Sequence, residues 1–349
     1  MFVSVAYRLG TEGFSVLEGA PLNLGLADVI AAVQWVRDEI SAFGGDPEQI
    51  TLFGQSAGGN LIAAFLAHDG HPAVKRAIIQ SAPLTARSTK VAGRITRLVA
   101  KDLGVPTTRG AFAAIPPADL IAAQQRVTAG TTPITGGPGF ALAIGGDLVP
   151  ENPETALAQG AADEVELMIG ATSEEYRLWF VPSGLLDRIS PLLVLAARLK
   201  FRIPNRVVAA YRRNHPRANA GTMLGLLATD LLLRLPLNRL ADDRLSRGRA
   251  TWVYDFVWPS PVMGLGAAHA VELGFVFDLV RHPDSLGLAG DSAPQQLADD
   301  MHGAWVRFAK TGDPGWEPWT ARRPVQTFAA PASAVVYAPR EDERSSWRH

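Results

Sequence analysis

Between residues 2 and 67 the apolar side chains change their period repeatedly, and the order of those changes restricts the fold more than any other feature. Residues 2–8 are a β-rich run that reads as a strand, followed by a loop holding Gly10, Gly13 and Gly19. From Asn23 onward, Leu26, Val29, Ile30, Val33, Val36 and Ile40 recur every three or four residues, until Phe43-Gly44-Gly45-Asp46-Pro47 stops the pattern. Residues 49–53 read as a short apolar strand, 54–59 as a tight turn and 60–67 as a helix. Strands separated by helices cannot pair as hairpins, so they run side by side in one direction. The expectation is an α/β protein built on a mostly parallel sheet.

Further strands are expected at 77–80, 165–171, 251–257 and 334–337, with a closing helix at 297–311 and a loop-rich tail. The stretches between them, about 84–160 and 183–248, exceed simple crossovers and read as helical insertions within a single domain of 349 residues. Residues 131–146, rich in Gly, Pro and Thr, read as a loop.

Composition removes several functions. Basic and acidic residues number 33 and 34, and no cationic run offers a track for a nucleic acid backbone. With no cysteine, thiolate nucleophiles, disulfides and cysteine-based metal sites are excluded. Residues 224–235 are interrupted by Asp230 and Arg234 and fall short of the roughly 20 apolar residues of a membrane span. The first residues carry no export signal, which points to the cytoplasm for the chain as given. The oligomeric state is not legible.

Chemistry enters at Gly54-Gln55-Ser56-Ala57-Gly58, which fits G-x-S-x-G and lies between an expected strand and an expected helix. Glycines two residues either side of Ser56 permit a sharp turn that pushes the hydroxyl outward, and the helix start beneath it favours developing negative charge. A serine hydroxyl needs a base to take its proton, and the base needs an acid to fix its tautomer. Glu174 and Glu175 follow the strand at 165–171, and His269 follows the strand at 251–257, so both lie where such partners are required. His68 and His71 sit at the far end of the helix that Ser56 begins, His215 and His282 in loops, His302 inside a helix and His349 at the terminus, which leaves His269. A metal site at His68, Asp69 and His71 has too few ligands to compete, and no cofactor is required.

Taken together, Tyr7-Arg8-Leu9-Gly10, Trp35-Val36-Arg37-Asp38, Phe53 to Gly59, residues 170–175, His269-Ala270-Val271-Glu272 with Phe275-Val276-Phe277, and Thr311-Gly312-Asp313-Pro314 resemble the type B carboxylesterase family, which includes bacterial para-nitrobenzyl esterases and cholinesterases. The resemblance implies the α/β-hydrolase fold and a small-molecule ester substrate. It implies Ser56 as nucleophile, His269 as general base and acid, and Glu175 as triad carboxylate, with Glu174 the alternative. Gln55, where the family often has Glu, and Tyr176, where it has Gly, depart from the pattern and are expected to leave the triad atoms untouched. Glu272 matches a recurrent acid and is expected to serve by structural hydrogen bonding. Leu178, Trp179 and Phe180 could wall an acyl pocket.

The oxyanion of an ester intermediate needs preset N–H donors, of which Ala57 supplies one. In the family a His-Gly-Gly loop precedes the Tyr-Arg-Leu-Gly strand; this chain begins at that strand, and Gly136-Gly137 lies elsewhere. The expectation is therefore an N-terminally truncated hydrolase lacking the interior strand between residues 2–8 and 49–53. A catalytically silent esterase-like or binding protein is the alternative, and amide or thioester cleavage would use the same triad.

Overall fold

A computed structural model describes residues 1–129 and 139–347. Part of the expected loop at 131–146, including Gly136-Gly137, and the terminal His349 lie outside the described residues. The chain forms two compact units, one from residues 1–52, 60–75 and 84–165, the other from 53–59, 76–83 and 166–349.

In the first unit the helix expected from Asn23 forms as α1, Leu24–Glu39, and runs into a tighter turn, Ile40–Phe43, which stops at Gly44 with φ +80°. That left-handed cap is open to glycine at little cost. Helices Arg94–Leu103 and Pro117–Thr128 bury Ile95, Val99, Ala100, Leu120 and Ala123 with Phe112. Residues 1–9 form no strand. A β-prone run becomes a strand only when a neighbour completes its ladder, and among the described residues none pairs with it; the backbone instead turns into a short helix, Gly10–Phe14. Arg8 grips Asp28 through both its backbone N–H and its guanidinium.

The sheet has six strands in chain order: β1 Thr51–Gln55, β2 Arg76–Gln80, β3 Glu166–Thr172, β4 Thr251–Phe256, β5 Pro324–Phe328 and β6 Ala334–Tyr337. It is parallel from β2 to β5, and β6 returns antiparallel. β1 ends the sheet, and among the described residues no strand pairs with its outer edge. β2 is buried throughout and β3 at every position but Glu166, which is why both read as continuous apolar runs rather than alternating ones.

On one face of β4, Tyr254 and Phe256 meet α2, Gln295–Thr311, whose Leu297, Met301, Ala304, Trp305 and Phe308 follow helical spacing into the core. Each large side chain buried there contributes roughly 1.5–3 kcal/mol. Trp305 also donates its indole N–H to Gln80 across 3.1 Å.

Two readings of the sequence are corrected in this unit. The tail holds β5, which sits between β4 and the expected β6. Asp230 and Arg234 do not interrupt their apolar stretch: Ala220–Thr229, a wider π turn at Asp230–Arg234 and Leu235–Ser246 run on as one helical segment. The two charges pair with each other four residues apart, and Tyr211 donates its hydroxyl to Asp230. By length and composition this 27-residue helix could cross a membrane; just over half of its most apolar window, 56%, is buried in the protein.

Candidate active site

β1 delivers the chain into a turn made by one residue, Ser56, held at φ +55°, and Ala57 already begins the helix Ala57–Leu66. The strand runs two residues further and the helix starts three residues earlier than the sequence suggests. A positive φ at a non-glycine residue is strained; here it is held by the Ser56 N–H donating to the Gln80 carbonyl of β2 at 2.9 Å. The glycines that the turn needs are Gly54 and Gly59, not Gly54 and Gly58. A Cβ on Gly54 would lie 2.7 Å from the Gly58 carbonyl carbon, and one on Gly59 would lie 2.6 Å from Ala82 Cβ and 2.9 Å from the Gly54 oxygen. A Cβ on Gly58 would meet nothing. Ala57 opens the helix, where the first N–H groups have no intrahelical acceptor and can face an anion.

Beyond β3, the chain places two carboxylates in different company. Glu174 takes Arg177 at 3.4 Å and the Ala267 N–H at 3.2 Å. Glu175 is 2% exposed; one oxygen accepts the Thr172 N–H at 2.8 Å and the other meets His269 Nδ1. The loop after β4 supplies that histidine, itself only 6% exposed. A carboxylate on Nδ1 fixes the proton there and leaves Nε2 as the basic nitrogen.

Nε2 is met by Gln55, not by Ser56. The Gln55 side-chain nitrogen lies 3.1 Å from His269 Nε2 and 3.4 Å from Nδ1. No hydrogen bond joins the Ser56 hydroxyl to the imidazole. The expectation that Gln55 leaves the triad atoms alone is thus corrected: its amide, reaching across from the end of β1, touches the ring. Tyr176, the other departure, is buried against Phe180 at 5.6 Å between ring centres, away from the imidazole. Trp179 lies over His269 at 5.0 Å and 36°. Leu178 packs half-buried on the core of the sheet, and Phe180 is fully buried, so of the three apolar residues Trp179 alone reaches the imidazole. No pattern in the sequence marks the Gln55 and Trp179 contacts, which depend on how distant loops meet.

The electrostatics are set by burial and by two acids. Desolvation pushes the His269 pKa down, but the charges of Glu175, which also hydrogen-bonds the ring, and of Glu272 outweigh it and hold the pKa above the ordinary imidazole value. Glu272 is completely buried; its carboxylate oxygens make no close hydrogen bond, and the Gln80 side chain and its own backbone are the polar groups that act on it. Burial first, then the charge of Glu175, push its pKa up to about 7, with His269 opposing.

Four of the other histidines are engaged elsewhere: His71 Nδ1 with the Pro72 carbonyl, His215 with Glu343, His282 at a helix start and His302 with the Val276 carbonyl. His215, read from the sequence as a surface loop residue, is therefore tied to a buried carboxylate. Among the described residues no group of three or more His, Asp or Glu could hold a metal ion.

A sharp serine turn at the end of a sheet strand, followed by an acid after one later strand and a histidine after the next, defines the α/β-hydrolase class. The family described as "Carboxylesterase family" matches residues 1–330, and the chain belongs to it. It is 33% identical to the para-nitrobenzyl esterase of Bacillus subtilis (strain 168) over 326 residues, covering 90% of this chain and 65% of that protein. It is 30% identical to the phenmedipham hydrolase of Pseudarthrobacter oxydans, over 96% of this chain and 68% of that one. A carboxylesterase structure from Geobacillus stearothermophilus superposes with a TM-score of 0.82 at 30% identity, covering 93% of this chain and 69% of that one. The chain thus spans slightly under two thirds of the para-nitrobenzyl esterase and 61% of a matching acetylcholinesterase from Leptinotarsa decemlineata.

Proposed function

We propose that this chain carries the chemistry of a serine carboxylic-ester hydrolase acting on small-molecule esters. The observation that carries the reading is the buried Glu175–His269 pair, set two and three strands beyond a serine turn at φ +55°. Ser56 attacks the ester carbonyl as His269 Nε2 takes its proton. The tetrahedral oxyanion is met by the Ala57 N–H at the helix start. Collapse of the intermediate expels the alcohol, which receives the proton from His269, and water then frees the acid from Ser56 by the same steps. Each oxyanion donor in such a site is worth roughly 10²–10³ in rate.

The test is a burst of alcohol from an activated ester, together with stoichiometric labelling of Ser56 by an organophosphonate. Both should vanish in Ser56→Ala. A second reading, a binding protein on the same fold, is favoured by one observation: Gln55 occupies the nitrogen that Ser56 would use. Intact protein that neither bursts nor labels belongs to that reading.

A further inference from the structure

The helix Pro191–Lys200 turns an apolar stripe outward. Leu192, Leu195 and Leu199 stand at helical spacings of three and four, which put them on one face, and they are 75%, 45% and 63% exposed. Leu193, at 47%, and Phe201, just past the helix, at 54%, widen the patch, while Val194 is the one buried residue of the helix. Single exposed leucines need no explanation, but a contiguous set does.

The same region carries a strong local excess of positive charge. Residues 183–219 hold eight Lys and Arg against one acid, Asp187, in a chain with 33 and 34 overall. Asp187 is engaged by Asn219 at 3.2 Å. The acids packed from the C-terminal helix Glu341–Ser346, Asp342 and Glu343, are taken by Asn214 and His215. Arg198, Lys200, Arg202 and Arg212 have no carboxylate partner among the described residues. Lys200 lies 5.4 Å from the centre of the Phe201 ring. Beside the stripe is a groove of about 590 Å³ lined by Val194, Leu195, Val208 and Met223 together with Arg198 and Arg212. The Nε of Arg198 is buried without a hydrogen-bond partner.

We propose that this face docks onto an anionic lipid bilayer, with the leucines and Phe201 entering the headgroup–acyl boundary and the cations meeting lipid phosphates. Leucines interleaved with unpaired cations are what such a surface rewards. A nucleic acid would use the cations and leave the leucines in water. A second copy of the face would set eight cations against eight. The proposal does not depend on the ester chemistry, because its readout is partition rather than turnover.

The experiment is co-sedimentation of the whole chain with vesicles of pure phosphatidylcholine and of phosphatidylcholine holding about 30% phosphatidylglycerol, the range in which anionic lipid sets a surface potential. Partition onto the anionic vesicles should exceed that onto the neutral ones by about tenfold or more, and should fall steeply at roughly 0.5 M salt, where charges are screened within a few ångströms. The triple variant Arg198→Glu, Lys200→Glu, Arg202→Glu should abolish the preference. The pair Leu192→Ser, Leu199→Ser, both on the surface, should lower partition about tenfold at unchanged melting temperature. Equal partition onto both vesicle types, or none onto either, overturns the proposal. So does a dimer in sedimentation velocity that the leucine pair dissolves, since the occupant would then be a second copy.

Discussion

The side-chain amide of Gln55 stands 3.1 Å from Nε2 of His269, on the nitrogen through which the imidazole must serve Ser56. With Nδ1 committed to Glu175, Gln55 donates and Nε2 accepts, so the amide holds the ring in the tautomer of a general base while competing for its lone pair. One such hydrogen bond is worth about 0.5–1.5 kcal/mol. Gln55→Ala should therefore raise the rate of Ser56 labelling about 2- to 10-fold by freeing Nε2. A fall in that rate would mean that the amide positions the ring rather than masking it.

Glu174 and Glu175 are neighbours in sequence with separate tasks. Glu175→Gln keeps the shape but loses the charge that stabilises an imidazolium, and amide hydrogens facing Nδ1 favour the wrong tautomer. Labelling of Ser56 should drop by roughly 10²–10⁴. Glu174→Gln touches only Arg177 and the Ala267 N–H, and the labelling rate should change less than about threefold, the scale of a partly exposed pair. Equal losses in the two variants would contradict the assignment of Glu175.

How much of this was legible depended on whether the determining contacts are local. The turn at Ser56 could be read because strand, glycines, hydroxyl and helix start lie within about ten residues of each other. Strand β5 could not: it opens on Pro324 after Arg322-Arg323, and Gln326 and Thr327 dilute its apolar character. It is a strand because β4 and β6 pair with it on either side. The run at residues 2–8 shows the converse, strong propensity with no neighbouring ladder. Asp230 and Arg234 read as breaks in an apolar stretch because their mutual pairing, and the Tyr211 hydroxyl that joins it, exist only in the folded chain. The same holds at the site: the strand order limited the acid to Glu174 or Glu175, whereas the approach of Gln55 to His269 joins side chains 214 positions apart.

Glu272 gives stability and reactivity opposite dependences on pH. Its pKa in the fold is about 7 against an ordinary value of 4.5, so between those values the folded state binds more proton than the unfolded state. Its contribution to stability is complete below about pH 4.5 and is lost as pH rises through about 7. The raised pKa of His269 acts in the same direction, its stabilisation fading as pH climbs past the ordinary imidazole range. The melting temperature should fall from about pH 5 to about pH 8, with the Glu272 share on the order of 3 kcal/mol. Ser56 labelling should rise over the upper part of that range as His269 becomes neutral. Glu272→Gln should flatten the stability slope and move the labelling midpoint to lower pH, because one of the charges holding the imidazole pKa up is gone. A melting temperature that climbs with pH would show that Glu272 is ionised in the fold throughout.

Gly58 and Gly59 are adjacent in the helix that follows Ser56, yet space is available at only one of them. At Gly58 a methyl group meets nothing, and alanine is favoured over glycine inside a helix by up to about 1 kcal/mol. Gly58→Ala should leave the melting temperature unchanged or raise it. At Gly59 the methyl would press on Ala82 Cβ at 2.6 Å and on the Gly54 oxygen at 2.9 Å, neither of them the end of a flexible side chain. Relief requires the helix to move off the turn, at a cost of about 1–3 kcal/mol. Because the displaced atoms belong to the turn that holds Ser56, Gly59→Ala should also slow labelling in the protein that remains folded. Calorimetric melting of the two variants checks the first effect and phosphonate kinetics the second; a Gly59→Ala protein that melts and labels like the parent would show that the strand-to-helix turn has slack that these distances do not allow.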